Sequence, residues 1–145
     1  EFIPRETVVR ALGASDVLLL TEPEAAWLVG EQDREATARA LLALGATTAV
    51  LKLGSDGCLV ANQTETIHIP AFPVEVVDTV GAGDSFAPAF IAGWIRGGDL
   101  RACATLGNAM GALAVTQRGA GARIPPRERL LDMLKDRPEA LALTG

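Results

Sequence analysis

The chain has 145 residues, 49% of them hydrophobic and 21% charged, enough for one domain with a core and unlike a disordered segment. Lys and Arg total 13 against 18 Asp and Glu, a formal net charge of −5 with no basic patch to offset it, which argues against a nucleic-acid partner. Cys58 and Cys103 lie far apart and neither belongs to a CxxC pair, so neither a zinc site nor a disulfide framework is signalled, and free thiols are expected.

In chain order, "PRETVVRALG" predicts a short helix with Pro4 at its start and Gly13 as its stop. "DVLLL", residues 16 to 20, is a continuous apolar run of the kind buried on both faces of a parallel sheet. "TEPEAAWLVG" reads as a helix capped by Thr21 and ended by Gly30, with acidic residues at its positive end. A further helix is predicted over residues 33 to 45, then a buried strand "TTAVLKLG" that ends in the turn "GSDG". "CLVAN" and "ETIHIP" predict a hairpin turning at Asn62 and Gln63, and "VEVV", residues 74 to 77, a short strand. Helices follow over residues 84 to 96, 100 to 117 and 126 to 135. Trp27 and Trp94 fall at helical spacing and are expected in the core, and His68 on a strand. Strands alternating with helices predict a mainly parallel α/β sheet, whose ligands bind beyond the carboxyl ends of the strands. No apolar run reaches the roughly 18 residues that span a bilayer, and the start lacks the apolar stretch of a signal peptide, so a soluble cytoplasmic protein is expected.

The segment "DTVGAGDSF", residues 78 to 86, stands before an apolar helix. Helix amino ends carry unpaired N–H groups and a partial positive charge, and Gly81, Ala82 and Gly83 are small enough to let an anion approach them. Asp84 is expected at the first helical position, where it serves either as an ordinary acidic first-turn residue or as a base beside a bound phosphoryl group. Pro88 cannot donate to the Asp84 carbonyl and predicts a local kink, which either tunes how Asp84 points or is a tolerated irregularity. No GxxxxGK[ST] string occurs, so a nucleotide site here uses other elements.

"DTVGAGDSF" resembles the carboxyl-terminal signature of the ribokinase-like, or PfkB, carbohydrate kinases, and the likeness extends through "LLLTEPEAAWLVG", "LKLGSDG" and "LGNAMGALAVTQRGA". The resemblance implies the ribokinase-like three-layer α/β fold, carboxyl-terminal half only. It implies ATP-dependent phosphorylation of a sugar or sugar-acid hydroxyl, fructokinase-like or 2-keto-3-deoxygluconate-kinase-like. Asp84 would be the catalytic base and the amides of Gly81, Ala82 and Gly83 the anion hole. Asp78 would brace the loop and help hold a monovalent cation. Lys52, Gly54 and Gly57 would line the nucleotide, with Asn108 beside the adenine. Glu24 matches the acidic residue of an Asn-x-x-Glu motif that positions Mg²⁺ through water, and Thr21 stands where asparagine is usual. Relatives bind potassium between the Asp78 loop and "QRGAGARIP". Arg123 occupies a ligand position there, and its own charge is expected to replace K⁺.

The same resemblance makes residues 1 to 145 a single nucleotide-binding and catalytic half. The amino-terminal sugar-binding half and the lid, through which many members form homodimers, are absent. Glu1 in place of methionine agrees with a fragment, which is expected to be inactive alone. The other reading, from a different class, is a nucleotide-binding module that no longer catalyses.

Overall fold

The computed structural model describes residues 3–119 and 125–145. Arg123 therefore lies outside the described residues, and so does the expectation placed on it. The described chain forms two compact units, residues 3–54 with 58–68, and residues 55–57 with 69–145.

In the first unit, α1 (Arg5–Leu12) leads to β1 (Val17–Thr21), α2 (Glu22–Val29), α3 (Arg34–Ala43), β2 (Thr48–Lys52), β3 (Cys58–Ala61) and β4 (Thr66–Ile69). The four strands form one sheet in the order β1-β2-β3-β4, with β1 and β2 parallel and β2 and β3 antiparallel. The parallel pair is the crossover unit announced by the two apolar runs. β2 and β3 are buried almost throughout, as a strand covered on both faces must be. The β3–β4 hairpin turns where predicted. Asn62 Oδ1 accepts from the amides of Thr64 (2.8 Å) and Glu65 (2.9 Å), so the side chain imitates a backbone turn. Leu18, Leu41, Leu51 and Leu59 make the core between sheet and helices, each burial contributing about 1.5–3 kcal/mol.

The second unit is helical: α4 (Ala82–Ile95), α5 (Leu100–Ala114), α6 (Arg127–Met133) and α7 (Pro138–Ala142). α4 packs along α5, and α5 against α6 and α7. The α4–α5 contact is close because α5 carries glycines at the crossing. A Cβ on Gly107 would lie 2.9 Å from Phe86 Cζ, and one on Gly111 3.4 Å from the Ala82 carbonyl. α4 continues through Pro88. A proline in a helix interior costs about 3 kcal/mol relative to alanine, since it removes one hydrogen bond and crowds the carbonyl four residues back.

Several expectations are corrected. "VEVV" is not a strand: residues 74 to 77 pair with no strand, and the amides of Val77 and Asp78 bond the Val115 carbonyl (2.8 and 3.2 Å) at the end of α5 instead. β-propensity describes what fits a sheet, and the ladder itself requires a neighbour. Val76 and Val77 are correspondingly exposed. Trp27 and Trp94 are not core residues, being 50% and 36% exposed. Helical spacing assigns residues to a face without saying which face is covered, and α2 turns Ala25 and Leu28 inward while α4 turns Phe86, Phe90 and Gly93. α5 ends at Ala114, three residues early; α6 lies within the predicted 126 to 135, and α7 beyond it was not predicted. His68 lies on β4 as expected, and Cys58 and Cys103 are buried and outside any disulfide. No helix among the described residues is long and apolar enough to cross a membrane.

Candidate active site

The residues singled out in sequence fall in both units, Thr21, Glu24, Lys52 and Gly54 in the first and Gly57, Asp78, Asp84 and Asn108 in the second. In the first unit the parallel strands β1 and β2 are in register at their carboxyl ends, where Thr21 stands opposite Lys52. α2 leaves the sheet directly after Thr21, and the turn at Gly54 follows Lys52 after one residue. Thr21 and Glu24 form a capping box: Glu24 Oε2 accepts from the Thr21 amide at 2.7 Å, and Thr21 Oγ1 accepts from the Glu24 amide at 3.4 Å. The spacing Thr-x-x-Glu before an apolar run is itself the signal for this box. The Thr21 amide chiefly holds the Glu24 carboxyl below its ordinary range, with the Thr21 hydroxyl and the Lys52 charge helping and partial burial opposing. Glu24 is therefore an anion at neutral pH, in the field of Lys52.

Gly54 and Gly57 differ although both have positive φ. Gly54 (φ 60°) has nothing within 4 Å of where a side chain would start, leaving its face open. Gly57 (φ 90°) is jammed: a Cβ there would lie 2.1 Å from the Ile69 carbonyl oxygen and 2.6 Å from the Ala71 amide. Its lack of a side chain is explained by backbone packing.

In the second unit α4 begins on Gly81 in the left-handed region (φ 87°, ψ 0°), a conformation glycine adopts without the strain a Cβ brings. The first regular helical bond is Ser85 N–H to the Gly81 carbonyl at 2.9 Å, while the Ala82 amide reaches only the Thr79 carbonyl at 3.4 Å. α2, α3 and α5 are capped by the side chains of Thr21, Asp33 and Asp99, and α4, like α1, α6 and α7, has no side-chain cap. Its first-turn amides are thus presented without a ligand from the chain's own side chains. The helix starts at Ala82, so Asp84 is its third residue, a correction to the expected first position that keeps the carboxylate in the first turn and exposed.

The loop into this helix is held by Asp78. Its Oδ1 accepts from the Val80 amide (3.0 Å) and its Oδ2 from the Gly119 amide (3.2 Å), across to the loop after α5. The Val80 bond first and the Gly119 bond second hold its carboxyl below its ordinary value, with the Arg118 charge in the same direction. The bracing expected of Asp78 is present, and both carboxylate oxygens are engaged in it. The family resemblance implies backbone oxygens around Ala114 and Gly119 facing the Asp78 loop, and the bonds formed here are instead the Gly119 amide to Asp78 and the Asp78 amide to the Val115 carbonyl, which residue type alone does not announce.

Asn108 is buried on α5, where its Nδ2 donates to the carbonyls of Ile69 (3.0 Å) and Pro70 (3.2 Å). That satisfies a polar amide in an apolar helix and ties the segment after β4 to α5. A groove of ≈ 860 Å³ borders Asp84 and runs along one face of α4 past Pro88, Ala89 and Ala92. No group of three or more His, Cys, Asp or Glu able to hold a metal occurs among the described residues. Mg²⁺ commonly keeps several waters and binds through one or two carboxylates and substrate phosphates, so the single ionised Glu24 fits such an ion better than direct caging would.

The second unit thus carries a small-residue turn that opens a helix with a carboxylate in its first turn, and the first unit carries an acidic helix start at the carboxyl edge of its sheet. The chain matches the pfkB family of carbohydrate kinases over residues 1–127, and it belongs to that family. It is 34% identical over 129 residues to the ATP-dependent 6-phosphofructokinase of Thermoanaerobacterium thermosaccharolyticum, covering 89% of this chain and 40% of that protein. It superposes on ribokinase from Thermotoga maritima with a TM-score of 0.80 at 35% identity, over 93% of this chain and 46% of that one. A candidate ribokinase II of E. coli in complex with ATP and Mg²⁺ gives 0.82 at 29% identity, over 92% and 43%. The fold is ribokinase-like, and the chain spans less than half the length of each of these proteins.

Proposed function

We propose that the protein to which these residues belong transfers the γ-phosphoryl group of ATP to a hydroxyl of a sugar or sugar acid, fructokinase-like or 2-keto-3-deoxygluconate-kinase-like. The small-residue turn that opens α4, with Asp84 in its first turn, carries this reading. α1, α6 and α7 also lack side-chain caps, and what sets α4 apart is the glycine and alanine at residues 81–83 behind a left-handed Gly81, which leave room for an anion at its first turn. Asp84 takes the proton of the attacking hydroxyl. The oxygen so freed bonds to the γ-phosphorus as the bond to the ADP oxygen breaks, and the amides of Gly81, Ala82 and Gly83 stabilise the charge on the phosphoryl oxygens. Lys52 and the open face of Gly54 serve the nucleotide phosphates. Glu24, held ionised by Thr21, would hold a water of the Mg²⁺ that accompanies ATP, an ion that would neutralise phosphate charge. Asn108 serves the adenine end through the Ile69–Pro70 segment it fixes. Gly57 shapes the same turn.

The proportion of the relatives' length that this chain covers supports a longer protein whose remaining half brings the sugar-binding residues, a lid and a homodimer contact. Turnover of ATP with a panel of sugars by the full-length protein tests the reading, and no turnover with any sugar or sugar acid rejects it. With both Asp78 oxygens bonded to amides and an arginine at sequence position 123, where the family resemblance implies a cation ligand, potassium in place of a large organic cation should change turnover less than about twofold, a difference in barrier of about 0.4 kcal/mol. Strong potassium activation would show that the cation is needed after all.

The lowered carboxyls set an acid limit. Asp78 and Glu24 are depressed below their ordinary 3.8 and 4.5, so the stability they contribute is complete above those values and is lost as pH falls through the lower folded ones. A thermal melt series from pH 7 to 3 should fall on its acid side for the parent, and Asp78→Asn should flatten that fall while lowering Tm at pH 7. An unchanged acid limb would mean that the Asp78 brace contributes nothing.

A further inference from the structure

Pro88 stands four residues after Asp84, and α4 runs through both without a break. In a regular helix the amide at position 88 would bond the carbonyl of Asp84, and proline has no amide to give. The carbonyl released is that of the proposed base itself. Pro88 is also exposed, on the same face as Asp84 and lining the same groove, so no buried packing demands a proline there. Any good helix former fits such a position without the cost described above.

From this coincidence we infer that Pro88 is a positioning residue for Asp84. By withholding the hydrogen bond that would fix the Asp84 peptide in the helix, it leaves the first turn of α4 free to adjust when the acceptor hydroxyl arrives. The inference rests on the kinase reading, since it assigns Pro88 a part only if Asp84 is the base. The turn below Pro88 is held at its other end by Gly81, whose carbonyl accepts from Ser85, and by the Asp78 brace, so the freedom is confined to about one turn. Geometry at that scale matters, because displacing a reacting group by about 1 Å can cost as much as a hundredfold in rate.

The test uses the full-length protein. Pro88→Ala restores the amide and should raise Tm while lowering kcat by about tenfold and leaving KM for ATP unchanged. A merely tolerated irregularity predicts the same rise in Tm with kcat and KM intact, and that result overturns the inference. A second variant separates the missing bond from the ring: an alanine-type backbone ester at position 88 has neither N–H nor ring. It should restore kcat to the parent level, and failure to do so when Pro88→Ala is slow also overturns the inference. Asp84→Asn in parallel keeps the two claims apart. If Asp84→Asn retains turnover, the kinase base assignment itself fails; if it is inactive while Pro88→Ala is unaffected, only the role of Pro88 fails.

Discussion

Replacing Asp84 by asparagine in the full-length protein is expected to lower kcat by about 10²–10⁴-fold, the usual contribution of a positioned general base. The carboxamide has the same shape but cannot take the proton of the attacking hydroxyl. Among the described residues no side chain binds the Asp84 carboxylate, so the exchange breaks no side-chain bond among them. Its structural cost is the loss of a negative charge in the first turn, about 0.3–1 kcal/mol, and Tm should fall only slightly. The amides of Gly81, Ala82 and Gly83 are untouched by the change, and KM for ATP should therefore stay close to the parent value. The pattern to look for is a collapse of kcat with nucleotide binding preserved, read by steady-state kinetics and by ATP binding in the absence of sugar. Turnover at the parent level would remove Asp84 as the base and leave its carboxylate as a helix-start residue only.

Much of the frame was legible because its signals are local. The apolar runs at β1 and β2, the Thr21 cap with its following proline, and the Asn62 turn each depend on residues within a few positions of one another. The GAGD turn was legible for the same reason. What escaped depends on partners distant in sequence. Val74 to Val77 has strand-forming residues but pairs with no strand, so its amides go to Val115, a residue nearly forty positions away. The burial of a tryptophan is decided by where the sheet lies, which the period of a helix cannot tell. Asp84 moved from first to third helical position because Gly81 in the left-handed region starts the helix earlier than its acidic residue does. The pair Gly107 and Gly111 was read as part of a family-like string, and their physical reason, room for Phe86 and the Ala82 carbonyl, appears only when α4 lies on α5.

Gly57 and Gly54 were given one role in sequence, and substitution should separate them. Gly57→Ala places a methyl carbon 2.1 Å from the Ile69 carbonyl oxygen, 2.6 Å from the Ala71 amide and 2.7 Å from the Pro70 carbonyl carbon, all backbone atoms that no rotamer change can move. The φ of 90° adds the strain of a region that side chains disfavour. Segment 69–70 is also what Asn108 holds, so relief by moving it would break the two bonds of that buried amide. The expected loss is about 4–5 kcal/mol, the exceptional end for a single substitution, against a typical total of about 5–15 kcal/mol. Denaturant unfolding should show it as a greatly lowered midpoint, or as failure to accumulate folded protein. Gly54→Ala meets open space and bears only the φ penalty, about 1 kcal/mol, so the variant should fold. Its effect should appear in KM for ATP, because the methyl stands on the face left open for the nucleotide phosphates. Equal losses of stability in the two variants would contradict the packing explanation of Gly57, and an unaltered KM in Gly54→Ala would remove Gly54 from the nucleotide site.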